Sequence, residues 1–372
     1  MQGISTILIL TFPTDVHACA VEWVLTEVHK KKVTSVFLPD YPEKLALTIT
    51  VTNGEDDIQH RWGSDAISPA VIWRRRLGTS TPSVCVHPDD EKFVANENKR
   101  FIEGFLLTLG ANAMWVNPHK EAERADSKAF QLSVAKGQKW SIPKTLISND
   151  PKEILEFVRT EDAIYKPFRP MVWKGADGTT RTTMTNQISV NDVNEGPDVL
   201  QSCAGIYQSR IKKAHELRVM IFGQTCMALK LNSQASAATA LDWRVGFYGT
   251  LDVSPYELPG DLERACLALL GSMGLLFGVI DLAVTDTGDF VFFEINEMGQ
   301  FLWCEEHCPQ LPLLAAFSAF LASGDPGFVW KSTSESCSFP KLKLLPSFQH
   351  FYQARTDGHN VHLPGFFRQE QS

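Results

Sequence analysis

The sequence predicts an α/β (α+β) chain, and three observations predict it. A strand, an amphipathic helix and a second strand follow one another at Ile4–Leu10, about Val16–Lys30 and Val33–Leu38, apolar runs marking the strands and a 3.6-residue period the helix. Near the other end, GVIDLAVT (278–285) and FVFFEIN (290–296) flank TDTGD, a Gly-containing turn signal that makes a β-hairpin. Between them strand and helix patterns alternate, with no internal repeat and no low-complexity segment.

In chain order, a strand near Ala70–Trp73 runs into Arg74, Arg75 and Arg76. The charged stretch Asp89–Leu109 carries a helix pattern and leads to WVNP (115–118), a strand end stopped by proline. One helix is expected from Ala122 to about Gly137. IPKTLISND (142–150) gives a strand and then a helix start at Asp150-Pro151. AIYKPF (163–168) is a short strand, and PMVWKGADGTTRTT (170–183) reads as a flexible turn. Strands are expected at 203–211, 216–222 and 225–231, a helix at about Leu262–Met273 and an apolar helix around 309–322. The boundaries drawn are 1–121, 122–207, 208–324 and 325–372. The last stretch loses periodicity and reads as a disordered tail, a lid or a peptide-binding addition.

Composition narrows the function classes. At 372 residues and 44% hydrophobic, the chain can bury a large core and hold two or three domains. A net charge of −8 with both signs interspersed argues against nucleic acid as a partner. The eight cysteines are scattered without paired spacing, as in a reduced, cytoplasmic protein. The opening run ISTILILTF is too short to span a bilayer and lacks a basic flank. No other run is long and apolar enough, so no membrane partner is expected.

The hairpin raises a chemical question, because its second strand presents Glu294 and Asn296 where apolar residues would pack better. With period two, Phe290, Phe292, Glu294 and Asn296 share a face. A four-residue loop, Asp286–Asp289, would put Asp281 directly opposite Glu294, with Cβ atoms roughly 4.5–5.5 Å apart. Two carboxylates that close in an interior repel and are poorly solvated. A divalent cation between them resolves this, and Mg²⁺ prefers such oxygens. Asp281, Glu294 and Asn296 are therefore a candidate metal set. The plainer alternative is that Asp281 caps a strand and Glu294 pairs with a lysine.

Upstream motifs bear on that choice. Lys128 in SKAFQL, Lys166 in IYKPF, a Gly-rich loop, IYQSRI, ELRV and finally D…ExN occur in this order, and the series resembles the ATP-grasp fold. VIWRRR, MWVNP, SKAFQLSVAKGQKWSIPKTLISNDP, LNSQASAATALDWR, YELP and FFEINEMGQFLWCEE further resemble the microviridin-type (graspetide) macrocyclases, over about residues 4–322. The resemblance implies an N-terminal α/β domain, a central lid domain and a C-terminal catalytic domain. It implies ATP and Mg²⁺ (two ions, with Mn²⁺ as a substitute), a ribosomal precursor peptide as partner and a homodimer. The activity implied is an ADP-forming ligase closing Asp or Glu side chains onto Ser, Thr or Lys as esters or amides. The alternative is a ligase adding an amine or amino acid intermolecularly to a peptide or protein. A third reading is a nucleotide-dependent binding module without catalysis.

By the same resemblance, Lys128 and Lys166 contact phosphates or the adenine edge. The loop Gly175–Thr180, with Gly175 and Gly178, closes on phosphates through backbone N–H groups. Backbone at Arg210 and Ile211 pairs with adenine, with Gln208 at the strand edge. Glu216 takes the ribose hydroxyls and Arg218 stands beside the γ-phosphate. Asp242 and Arg244 of LDWR meet the substrate: Arg244 holds its carboxylate, and Asp242 orients it or accepts the nucleophile's proton. Trp243 and Trp303 read as packing, Arg74–Arg76 as structural pairing ahead of the alternative that they meet the peptide, and Cys304 with Cys308 as helix packing, no second ligand pair accompanying them. Two departures stand out: Glu297 occupies the proline of the family's NPxGQ, and Asn232 replaces an aspartate in its DSQ.

Overall fold

The computed structural model describes residues 6–53, 58–78, 85–169, 171–246, 251–331 and 337–357. The start of the first expected strand, at Ile4, and residues 358–372 lie outside these. β1 (Thr6–Thr11), α1 (Val16–Glu27) and β2 (Lys32–Phe37) form the opening unit. Asp15 caps α1 by accepting from the Ala18 N–H at 3.2 Å. β3 (Leu47–Thr50), β4 (Gln59–Trp62) and β5 (Asp65–Ile67) make a small antiparallel sheet that the sequence reading missed. β6 (Val71–Arg74), α2 (Glu91–Thr108) and β7 (Met114–Val116) complete a parallel sheet of order β2-β1-β6-β7. Its first strand is apolar on both faces because both are covered: Ile7 and Ile9 face one core, Leu8 and Leu10 another.

The single helix expected over 122–137 is two, α3 (His119–Ala125) and α4 (Lys128–Gly137). Ser127 restarts it, its hydroxyl accepting from the Phe130 N–H at 3.4 Å. β8 (Thr145–Ser148), α5 (Pro151–Thr160) and β9 (Ala163–Lys166) follow as expected. The expected flexible turn at 170–183 is instead a hairpin, β10 (Val172–Lys174) and β11 (Thr180–Thr182). β12 (Asn186–Gln187), α6 (Val190–Glu195), α7 (Pro197–Ser202) and β13 (Gly205–Ser209) close the middle of the chain. That region is a four-stranded sheet, β12-β9-β13-β8, over its own small core of Ile154, Phe157, Val158, Val193 and Tyr207.

β14 (His215–Phe222), β15 (Thr225–Leu231), β16 (Val253–Tyr256), α8 (Gly260–Ser272), β17 (Phe277–Val284) and β18 (Phe290–Asn296) build the last sheet, ordered β16-β15-β14-β17-β18. α8 and α4 cover one face through Leu262, Leu269, Leu270 and Ala135. α9 (Leu302–His307) and α10 (Leu313–Ser323) cover the other, in one core shared with α1 and the parallel sheet. α10 starts later than expected because Pro312 stands at its N-cap. The stretch after 325 is not a loose tail where it is described: α11 (Phe339–Leu342) and α12 (Pro346–Thr356) bury Phe339, Leu342, Phe348 and Tyr352 in that shared core. Arg355 pairs with Glu22 of α1. All eight cysteines are free thiols. Among the described residues no helix is long and apolar enough to cross a membrane.

Candidate active site

Register across the last sheet sets the site. Arg218 on β14 stands opposite Asp281 on β17, and Asp281 opposite Glu294 on β18. Three charged residues thus form one rung across three strands. The Asp281–Glu294 pairing is the expected one, reached by a different route. The loop holds five residues, Thr285–Asp289, closed by Thr285 N–H to Asp289 O at 3.0 Å. It pairs Val284 with Phe290, one residue out of the expected register. A β-bulge at Phe293 then restores it, Leu282 facing Phe292 and Asp281 facing Glu294. The bulge also corrects the expected face. Phe292 and Ile295 point into the core with Phe290 packed against it, while Phe293, Glu294 and Asn296 line a cleft.

That cleft holds about 610 Å³ and gathers nine of the expected residues: Lys128, Lys166, Glu216, Arg218, Asp242, Arg244, Asp281, Glu294 and Asn296. Lys128 is the first residue of α4 and pairs with Glu294. Arg244 donates to the other Glu294 oxygen at 2.7 Å, and to both Asp242 oxygens at 3.4 Å. Arg218 Nη1 donates to both Asp281 oxygens at 2.8 and 2.9 Å. Asn296 Oδ1 accepts from the Gly299 N–H at 3.1 Å, which closes the turn after β18. Burial alone would raise the Glu294 carboxyl, yet Lys128, Arg244 and Lys166 hold it well below the usual carboxylate range. Burial, reinforced by Glu294, pushes Asp281 up, and Arg218 pulls against it. Burial lowers Lys166, whose ammonium lies 4.8 Å from the centroid of the Phe293 ring.

Gln208, Arg210 and Ile211, with Lys166 again, line a small adjoining cavity. Two details there correct the sequence reading. β13 is an inner strand, between β9 and β8, so Gln208 is not at an edge. Its amide donates to Thr145 Oγ1 at 3.0 Å. The Arg210 N–H is given to Asp162 O at 2.7 Å, so it is not a donor of the expected hinge. Glu216 is buried and paired with Lys213 at 2.7 Å. Gly175 and Gly178 are not brought to the cleft; they sit in the exposed β10–β11 hairpin.

The structure adds residues that sequence reading missed. Phe293 is one, since its bulge and the five-residue loop offset each other and leave the expected pairing intact. Lys213 lies between the two cavities, 5.6 Å from the Phe293 ring centroid. Thr185 donates to Asp242 at 3.0 Å, joining the middle region to the cleft floor. Behind the site Asn117 ties WVNP to the hairpin: its amide donates to Phe277 O and Glu297 O at 2.8 Å, and its carbonyl accepts from Leu276 and Phe277 at 2.9 Å. His17, neutral because burial and Arg75 lower it, accepts from the Phe301 and Leu302 N–H groups at 3.2 Å. The arginine run is structural, as expected. Arg75 holds Asp15 and the Met298 and Gly299 carbonyls, and Arg74 pairs with Glu297 at 3.3 Å. Glu297 in the place of proline therefore ties the turn to β6.

No family model and no curated protein matches this chain. Solved structures do. The RiPP-associated ATP-grasp ligase of Chryseobacterium gregarium, in complex with ADP and a leader and core peptide, aligns with a TM-score of 0.75 at 25% identity, over 87% of this chain and 98% of that one. The macrocyclase MdnC of Microcystis aeruginosa MRC, bound with precursor peptide MdnA, aligns at 0.73 and 25% identity, over 86% and 100%. This chain has the ATP-grasp ligase fold. MdnB, a macrocyclase from the same source, shares that fold at a TM-score of 0.67 and 22% identity, over 85% of this chain and 99% of its own. Within the ATP-grasp fold, the donor set of the cleft suits Mg²⁺: two facing carboxylates and an amide oxygen, with water and phosphate oxygens left to complete a hard shell. The cations around them suit a polyphosphate.

Proposed function

We propose that this ATP-grasp chain activates an Asp or Glu side chain of a ribosomal precursor peptide and joins it to a Ser, Thr or Lys side chain of the same peptide. The supporting observation is the rung Arg218–Asp281–Glu294 with Lys128, Lys166 and Arg244 around it, in a chain that covers nearly the whole of two peptide-bound ligases of this fold. A carboxylate is a poor electrophile. Transfer of the γ-phosphoryl group of ATP to it gives an acyl phosphate and ADP. A hydroxyl or amine then attacks the acyl carbon, loses its proton and expels phosphate, leaving an ester or amide.

In this reading Asp281, Glu294 and Asn296 would hold Mg²⁺, for which Mn²⁺ substitutes, with two ions to the site. The metal, when bound, offsets charge on the transferring phosphoryl group. Arg218 forks onto phosphate oxygens, and Lys128 and Lys166 position the chain of phosphates. Glu216 faces the ribose, Arg244 holds the substrate carboxylate, and Asp242 orients it or takes the nucleophile's proton. The β10–β11 hairpin, through Gly175 and Gly178, moves onto the phosphates. A homodimer belongs to the same reading and is checked by the mass of the protein in solution.

The test is mass spectrometry of a candidate precursor incubated with enzyme, ATP and Mg²⁺. Loss of one water per ring supports cyclisation. A gain in mass transfers the reading to intermolecular addition, and no ATP-dependent change overturns it.

A further inference from the structure

Two strings far apart in the sequence each bring a tryptophan to one place. Trp243 of LDWR and Trp303 of FLW stack with ring centroids 5.0 Å apart and planes 27° apart. Both are buried and both line the cleft. The guanidinium carbon of Arg218 stands 5.6 Å from the Trp243 centroid and 5.5 Å from that of Trp303. Among the described residues it also meets the two Asp281 oxygens, the Gln300 carbonyl at 3.2 Å and the Cys304 thiol. Of the described residues that touch it, Asp281 alone bears a negative charge. Asp281 is also the group that must turn toward a divalent cation.

One carboxylate cannot serve both partners at full strength. A guanidinium that is 4% exposed and gives up its counter-ion to a metal is costly until phosphate oxygens reach it, unless something else holds it. Indole faces attract cations, most strongly where water is excluded, and the planar guanidinium stacks on them. We propose that the Trp243–Trp303 pair is the second holder of Arg218. It keeps the guanidinium at the cleft while Asp281 is released to the metal, and so sets how much divalent cation the site requires. The inference rests on the cleft being an ATP·Mg²⁺ site, and it makes both tryptophans positioning residues.

The test uses Mn²⁺ as the probe with a non-hydrolysable ATP analogue, free Mn²⁺ being read by electron paramagnetic resonance. Trp303→Leu is expected to weaken Mn²⁺ binding about tenfold, because Arg218 then competes harder for Asp281. Trp303→Phe and Trp243→Phe, which keep an aromatic face, should each weaken it less, by about threefold. If Trp303→Leu does not fold, the two Phe variants carry the test alone. Folded variants that bind Mn²⁺ as the parent does overturn the proposal. A parent chain that binds no Mn²⁺ with nucleotide overturns the functional reading instead, so the two failures are told apart.

Discussion

The two ends of the proposed nucleotide site are built in opposite ways. At the carboxylate end the charged residues stand on adjacent strands in fixed register, and each has a partner within the protein. At the glycine end, the β10–β11 hairpin is exposed and bonds mostly to itself, Gly175 N–H to Thr179 O at 2.8 Å and Thr179 N–H to Asp177 at 3.0 Å. The difference follows from solvation. A buried charge without a partner is expensive, so a site that holds several must be assembled in compensated pairs before any ligand arrives. Exposed turn N–H groups that already bond within the hairpin need no ligand to satisfy them, so the loop proposed to close on phosphates can stand outside the cleft.

Removing one member of the compensated set should have the largest effect. Glu294→Gln keeps the shape of the side chain and takes away the charge that Lys128 and Arg244 share. Product formation should fall at least about a hundredfold, the scale of losing one electrostatic group at a reacting centre, with circular dichroism unchanged. Normal turnover by the folded variant would place the metal elsewhere.

The same substitution at two glycines sharpens the contrast. Gly299 has φ +56°, and a Cβ there would overlap the Phe277 ring. Gly299→Ala should cost roughly 2–3 kcal/mol from overpacking and the left-handed backbone together, read as a lower melting temperature. Gly178 has φ +79° with nothing near a Cβ. Gly178→Ala should cost only about 1 kcal/mol and show itself as a raised KM for ATP. Equal losses of stability at the two positions would break the comparison.

What could be read from the sequence divides along the same line. The carboxylate rung was legible because strand periodicity and a turn place Asp281 and Glu294 without knowledge of the rest of the fold. Even so, the correct pairing concealed two offsetting facts, a loop one residue longer and a bulge at Phe293. Lys213, Thr185 and His17 were not legible, since what brings them in is packing between distant segments. The sheet β3–β5 was missed because its strands are short and polar in part, as in QHRW. The extension after 325 looked aperiodic because α11 is a single turn and α12 meets the core through only a few residues, such as Phe348 and Tyr352.

Glu305 extends the comparison to a buried carboxylate with no cation against it among the described residues. It accepts from the Leu314 N–H at 2.7 Å and the Phe339 N–H at 3.0 Å, joining α10 to α11. Burial raises it to about 7, against those two bonds. The folded chain therefore holds a proton that the unfolded chain has released between the ordinary value of 4.5 and about 7. Stability from this group falls as pH rises through that window and is fully lost above it. Glu305→Gln should remove the slope, so its melting temperature should gain on the parent's between those pH values. A difference that does not vary with pH would mean that Glu305 titrates normally.

The smallest effect belongs to the rim, where the exposed hairpin meets the assembled cleft. Arg169, just before the hairpin, pairs with Asp126 at the α3–α4 corner, both on the cleft wall. Their side chains are 73% and 37% exposed, so the pair adds little to folding, and Asp126→Ala should leave the melting temperature within about 2 °C. What it should change is how often the hairpin swings free. Trypsin cleavage after Lys174 or Arg181 is expected to run about two- to threefold faster in the variant at low salt. At about 1 M salt, where the Debye length is near 3 Å, that difference should vanish. Equal cleavage at low salt would mean the hairpin is held by its own backbone bonds alone, and that the two ends of the site are mechanically independent.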